Sequence, residues 1–306
     1  MSTHSWTRLL PALLIGAVLM MATATPATAL LVPLRGIDLT TVLTLQDHSR
    51  KIRLANSDHP VRTLQSIRTI VLDAGHGGEN SGATGVAGIR EKHLTLDLAY
   101  AVRALLQERY PHARIVMTRY WDTSLELTDR VHMANLVEAD LFVSLHYNAA
   151  VHERAVGFET YFLLADAVTP GKEQVVGAPL ATASHGHSGI ERRMIDQPPV
   201  GLHGDALVDI QQDLKRARLH GDSGLLAESV QSHLARHLRS TNRGVKQADF
   251  GVLRGALMPA IVVEAGFLTH PVEGKALVRS AHRHKVATAI VEAVEHFDKT
   301  ISKRED

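Results

Sequence analysis

Regular apolar patterning begins only after a long irregular start, with the β-branched run Ile67-Arg68-Thr69-Ile70-Val71-Leu72, which predicts a buried strand. The strand empties into Asp73-Ala74-Gly75-His76-Gly77-Gly78, a glycine-rich loop that continues through Gly82, Gly85 and Gly88. Leu94, Leu98, Ala101 and Leu105 then recur at helical spacing over residues 92–110, and Pro111 stops that helix. A second strand is expected at 115–119, then a helix capped by Thr128 and running through Val131, Ala134 and Val137. Leu141-Phe142-Val143-Ser144-Leu145 makes a third strand that ends at His146. This βαβαβ alternation predicts an α/β fold, with a mostly parallel, mixed and twisted sheet flanked by helices on both faces.

Further along, the pattern predicts a strand at 157–163, helices within 206–217 and at about 224–238, and a short strand near 250–253. A strand at 260–264 and a last helix through Val286, Ile290, Ala293 and Phe297 complete it. Two stretches lack periodicity. Residues 30–66, with the turn signal Asp58-His59-Pro60, read as a linker or N-terminal arm. Residues 166–204 carry Pro170, Gly171, Gly177, Pro179, Gly186, Gly189, Pro198, Pro199 and Gly201, and read as a lid, a regulatory insertion or a disordered loop. One three-layer domain at 67–300, interrupted by that insertion, is therefore expected.

The first residues bear on compartment. Arg8 precedes an apolar run from Leu9 to Met21, followed by small residues and Ala27-Thr28-Ala29. That is the form of a secretory signal peptide over 1–29, cleaved after Ala29, with an uncleaved anchor as the alternative. The core is too short for a comfortable membrane span. Of 306 residues, 45% are apolar and 21% charged, enough to bury one sizeable core. The net charge of +1 lacks the basic excess that binding a phosphate backbone brings, so no nucleic-acid partner is expected. There is no cysteine, which excludes disulfides and a thiolate site and leaves nitrogen and oxygen ligands for any metal.

His76, His146 and Glu264 each follow an apolar strand, and working residues of open α/β sheets collect at the carboxyl ends of strands. Glu91 stands at the far end of the glycine loop, which can fold it back beside His76. Two imidazoles and a carboxylate leave a zinc ion an open position for water, the ligand set of a hydrolytic centre. Each residue has a plainer reading: Asp-Ala-Gly-His as a tight turn, Glu91 as a first-turn acid facing the helix dipole, His146 as a hydrogen-bonded core histidine. Glu264 is harder to explain that way, because a buried unpaired carboxylate is costly. Among the nineteen histidines, His233 and His237 stand four apart on a predicted helix, but no glutamate follows His233, and a solvated helix face is expected.

The ordered set resembles the N-acetylmuramoyl-L-alanine amidases of the zinc-dependent amidase 3 family over about residues 69–297. The resemblance rests on Leu72-Asp73-Ala74-Gly75-His76-Gly77-Gly78, Gly88-Ile89-Arg90-Glu91-Lys92, Met117-Thr118-Arg119 with Asp122 and Arg130, and Ala134-Asn135. It continues through residues 139–149, Gly157-Phe158-Glu159-Thr160-Tyr161, and 263–271. Tyr147 and Thr269-His270 depart from the usual pattern. The resemblance implies zinc held by His76, Glu91 and His146, catalysis by Glu264, and cleavage of the amide between N-acetylmuramic acid and L-alanine of peptidoglycan. Such a reaction serves wall remodelling, daughter-cell separation or lysis. Asn148, Arg119 and Arg130 are candidate substrate contacts, with a turn-forming role for the asparagine and structural salt bridges for the arginines as alternatives. In some members of the family an inserted helix blocks the zinc until an activator protein withdraws it, and 166–204 is where such an insertion falls. A monomer is expected, periplasmic, with the extracellular space as the alternative.

Overall fold

The computed structural model describes residues 62–86, 88–165 and 206–305. The proposed signal peptide, all but the end of the N-terminal arm, and the 166–204 insertion lie outside the described residues. The elements, in chain order, are β1 (Thr69–Ala74), α1 (Glu91–Arg109), β2 (Arg114–Met117), α2 (Leu127–Leu136), β3 (Leu141–Asn148) and β4 (Phe158–Leu163). They continue with α3 (Ala206–His237), β5 (Asn242–Ala248), β6 (Ala260–Phe267), α4 (Glu273–Leu277) and α5 (Ser280–Glu305). The strands form one six-stranded sheet in the order β2-β1-β3-β6-β4-β5. All neighbours are parallel except β4 and β6, so the sheet is mixed, as expected.

Strand side chains alternate between faces, and this period of two divides the core in two. Ile70, Leu72, Val143, Leu145, Ile261 and Val263 face a large cluster completed by Leu98 and Val102 of α1, Leu226 and Val230 of α3, and Ile290 and Val294 of α5. Val71, Val116, Phe142 and Val262 face a smaller cluster closed by Ala134 of α2 and by Val252 and Leu253. By the same alternation Asp73, Ser144, His146, Glu264 and Glu159 project from this second face.

Four local expectations change. The helices expected at 206–217 and 224–238 are one helix, α3, because burial of Leu226, Ala227, Val230 and Leu234 outweighs the roughly 1 kcal/mol that each of Gly221 and Gly224 costs. Residues 250–253 form a 3₁₀ turn (Gly251–Leu253), not a strand, and its apolar side chains serve the smaller cluster. The sixth strand is instead β5, whose polar sequence Asn-Arg-Gly-Val-Lys-Gln-Ala suits a half-exposed edge. Thr128 lies inside α2, whose N-cap is Glu126 with no side-chain capping bond.

The end of the arm is docked. Leu64 and Ile67 are buried, and the backbone N–H groups of Gln65, Ser66 and Ile67 donate to the buried carboxylate of Asp298 on α5 at 2.8, 2.9 and 3.0 Å.

Candidate metal centre

His76 follows β1 with a backbone φ of +60°, a left-handed conformation uncommon for a non-glycine residue. Such strain persists where surrounding contacts enforce it. Here they come from two arginines. Arg130 of α2 donates to the carbonyls of Ala74 and His76 at 2.8 Å each, and pairs with Asp73 at 2.8 Å. Arg119, 1% exposed, donates to the carbonyls of Ala74, Gly75 and Lys92 at 2.8, 2.9 and 2.7 Å. Both guanidinium groups are thus committed to the His76 loop and the start of α1, contacts of the structural kind that the sequence left as the alternative to substrate binding.

Glu91 is the first residue of α1 and is 4% exposed. Its carboxylate accepts from the backbone N–H of Ala83 at 2.9 Å and of Tyr147 at 3.0 Å, so the glycine loop and β3 hold it from two sides. Its Oε2 lies 3.0 Å from His76 Nε2 and its Oε1 lies 3.0 Å from His146 Nδ1. The ligand atoms of the three residues all fall within 4.8 Å of one another, and among the described residues this is the one group of three or more such donors close enough to hold a metal ion. Burial alone would raise the pKa of Glu91, but hydrogen bonds and charge from His146 and His76 hold it well below the usual carboxylate range. His146, whose burial opposes a charge, is nevertheless pushed up by Glu91 and Glu264.

The donor set fits a divalent cation. Two imidazole nitrogens converge on one carboxylate with no lysine or arginine head among them, and each nitrogen offers a lone pair once its ring is neutral. His76 Nδ1 lies 2.9 Å from Asn80 Oδ1, the outer hydrogen bond that fixes a ligating imidazole's tautomer and orientation. The two rings meet edge to face at 4.8 Å. Gly75 permits this approach: a Cβ there would stand 2.2 Å from Cε1 of His146. Gly75→Ala is therefore expected to displace the His146 ring and weaken any divalent-cation binding by the trio about tenfold or more, read by zinc titration against a competing chelator, with the melting temperature reporting the fold.

Glu264 on β6 is the direct cross-strand partner of His146 on β3, and Glu159 on β4 is the partner of Glu264. Glu264 is 9% exposed, and its Oε2 is buried without a hydrogen-bond partner. Burial pushes its pKa up to about 7; His146 opposes this, while Glu91 and Glu159 add to it. A carboxylate poised near neutrality can both accept and return a proton. Asn148 donates from Nδ2 to Glu159 at 2.6 Å and accepts from the backbone N–H of Ala149.

Three contributors carried no assigned role in the sequence: Asp73, Asn80 and Glu159. Asp73 is wholly buried, accepting from Arg130, Thr118 and Ser144. It closes an apolar run just as Glu264 does, and the same argument about buried carboxylates applies to it. Asn80 gave no such signal, since its pairing with His76 depends on the loop's path. His233 is buried rather than solvated, its Nδ1 lying 2.8 Å from the Ser229 carbonyl, because α3 packs that face against α5.

The profile of the N-acetylmuramoyl-L-alanine amidase family matches residues 70–296. The N-acetylmuramoyl-L-alanine amidase AmiA of Escherichia coli (strain K12) is 32% identical over 231 residues, which cover 74% of this chain and 75% of that protein. Among solved structures, the catalytic domain of CwlV, an N-acetylmuramoyl-L-alanine amidase from Bacillus (Paenibacillus) polymyxa var. colistinus, is similar at 25% identity and a TM-score of 0.54. That match covers 76% of this chain and 98% of the other. An N-acetylmuramoyl-L-alanine amidase from Clostridium difficile 630 gives 26% identity and 0.54 over 75% and 96%. On a match that spans β1 to α5 and takes in every residue of the His-Glu-His trio and Glu264, the chain belongs to the N-acetylmuramoyl-L-alanine amidase family.

Proposed function

We propose that the protein is a zinc-dependent hydrolase that cuts the amide between the lactyl group of N-acetylmuramic acid and the L-alanine of the peptidoglycan stem. The observation that carries this reading is the meeting of His76, Glu91 and His146 beside a buried carboxylate with a raised pKa, at the carboxyl edge of β1, β3 and β6. When bound by such a trio, zinc supplies Lewis acidity toward a carbonyl oxygen and toward water.

The chain's own residues supply the rest. Glu264 takes the proton of the attacking water and delivers it to the departing alanine nitrogen. His76, Glu91 and His146 act as ligands, with Asn80 fixing the His76 ring. Arg119 and Arg130 serve by holding the His76 loop in its left-handed turn. Asn148 serves through Glu159, which it helps to anchor. Export through the 1–29 segment, to the periplasm or else the extracellular space, belongs to the same proposal, as does an activator acting through 166–204. Among the described residues no helix is long and apolar enough to cross a membrane.

The test is mass spectrometry of purified muropeptides after incubation with the protein, with and without zinc. The expected products are a free lactyl carboxylate on muramic acid and an intact stem with a new L-alanine amine. Cut peptides with the lactyl amide intact would replace this reading with that of a wall peptidase. Exhaustive chelation is expected to abolish cleavage and zinc to restore it; normal activity after chelation would remove the metal from the scheme.

A further inference from the structure

We propose that Arg243 and Lys246 of β5, two strands beyond the catalytic glutamate, form a carboxylate-recognition pair for the stem peptide beside Glu159; this rests on the amidase reading.

The pair exists because of an irregularity in an edge strand. β4 and β5 pair Phe158 with Asn242 but Thr160 with Val245, so two residues of β5, Arg243 and Gly244, oppose the single Glu159. Gly244 takes φ of +81° there, which suits glycine. In an unbroken strand residues 243 and 246 would point to opposite faces. The extra residue brings both to one face, where each contacts Glu159 Oε2: Arg243 through Nε at 2.9 Å and Lys246 through Nζ. The other oxygen accepts from Asn148 and from the Tyr161 hydroxyl, 2.8 Å away.

Glu159 therefore has more positive charge than it needs. It is 2% exposed, and although burial favours its neutral form, Lys246, Arg243 and Tyr161 hold its pKa below the usual range, so it is ionised at neutral pH. Balancing one carboxylate takes one cation, and the second leaves this group of three with a net positive charge. The surplus is accessible: the Arg243 and Lys246 side chains are 35% and 38% exposed, and the terminal nitrogens of Arg243 make no hydrogen bond within the described residues. Their heads are held in place against aromatic rings, Arg243 over Phe267 at 5.0 Å and Lys246 over Tyr161 at 5.6 Å.

Position identifies the ligand. β5 lies two strands beyond β6, but both heads reach back to the Glu159 carboxylate, one strand or about 4.8 Å from Glu264, so the heads stand roughly 5–10 Å from the catalytic carboxylate. One to three residues of extended peptide, at about 3.3–3.6 Å each, cover that span. The glutamate that follows L-alanine in the stem is linked through its side chain and presents a free α-carboxylate within it. A guanidinium and an ammonium aimed at one point suit such an anion.

The test compares two disaccharide-peptide substrates that differ only in this α-carboxylate, free or amidated. The wild-type protein is expected to favour the free acid by about tenfold or more in kcat/KM, chiefly through KM. Lys246→Met and Arg243→Gln should each bring the preference close to parity, and Lys246→Arg should restore it, with thermal melts confirming that each variant is folded. Equal efficiency of the wild-type protein on both substrates would overturn the inference while leaving the amidase reading intact. So would a Lys246→Met variant that lost the same factor on both, since the lysine would then only neutralise Glu159. Cleavage of neither substrate, by the wild-type protein or by a variant lacking residues 170–200, would overturn the amidase reading and this one with it.

Discussion

Glu264→Gln should keep its zinc and lose turnover by about three orders of magnitude, within the range that a positioned acid–base group contributes. The glutamine amide matches the carboxylate in shape but cannot accept the water's proton. The ligand trio is defined without Glu264, so metal content, read by elemental analysis, is expected to match the wild-type value. The contrast is with His76→Ala or His146→Ala, each of which removes a ligand and should lower metal content along with activity. Full muropeptide release by the glutamine variant would take Glu264 out of the chemistry. Loss of zinc from it would mean instead that the carboxylate helps to hold the metal.

The largest effect on stability is expected at Asp73. Its carboxylate accepts from Arg130 at 2.8 Å, Thr118 at 2.7 Å and Ser144 at 2.6 Å, joining β1, β3, α2 and the chain just past β2. Asp73→Asn keeps the shape, turns an acceptor toward donors into a donor, and leaves the buried Arg130 without its counter-charge. Removing one partner of a buried ion pair costs about 3–5 kcal/mol, a fall of roughly 10 °C in Tm for a domain of this size. The pH dependence has a definite sign. Burial raises the pKa of Asp73, but Arg130, Ser144 and Thr118 together bring it below its ordinary value. The stabilisation is therefore present above the unfolded-state pKa of about 3.9 and disappears as pH falls through the folded-state value. Urea titrations should show the gap between wild type and variant narrowing as the pH drops below that range. A gap that is constant with pH would assign the loss to packing rather than to charge.

The residues most legible in the sequence are those whose burial pattern and chemistry conflict. Glu264 follows an apolar run within β6, His146 follows one within β3, and Glu91 follows a loop whose glycines permit a tight return. β1, β3 and β6 read as near-continuous apolar runs because both of their faces are buried, and that gave the parallel core of the sheet. β5 was not legible for the opposite reason. An edge strand gains little from apolar residues, and Gly244 breaks what alternation there is. The continuity of α3 was also hidden, since two glycines mimic a helix stop and only the packing against α5 outweighs them. Arg119 and Arg130 show a third limit. Their position near strand and helix ends suits substrate binding and loop support equally, and only their burial and the carbonyls they meet separate the two.

The docking of residues 65–67 onto Asp298 bears on how such an enzyme meets an immobile polymer. These residues lead into the amino end of β1, whereas the metal centre occupies the carboxyl end of the same strand. The chain thus enters the domain from behind, and a force applied upstream of Gln65 is passed through Asp298 into the last helix before it reaches β1. Residues 65–67 thus anchor at the end of the domain opposite the His76 loop, which is shielded from a pull along them.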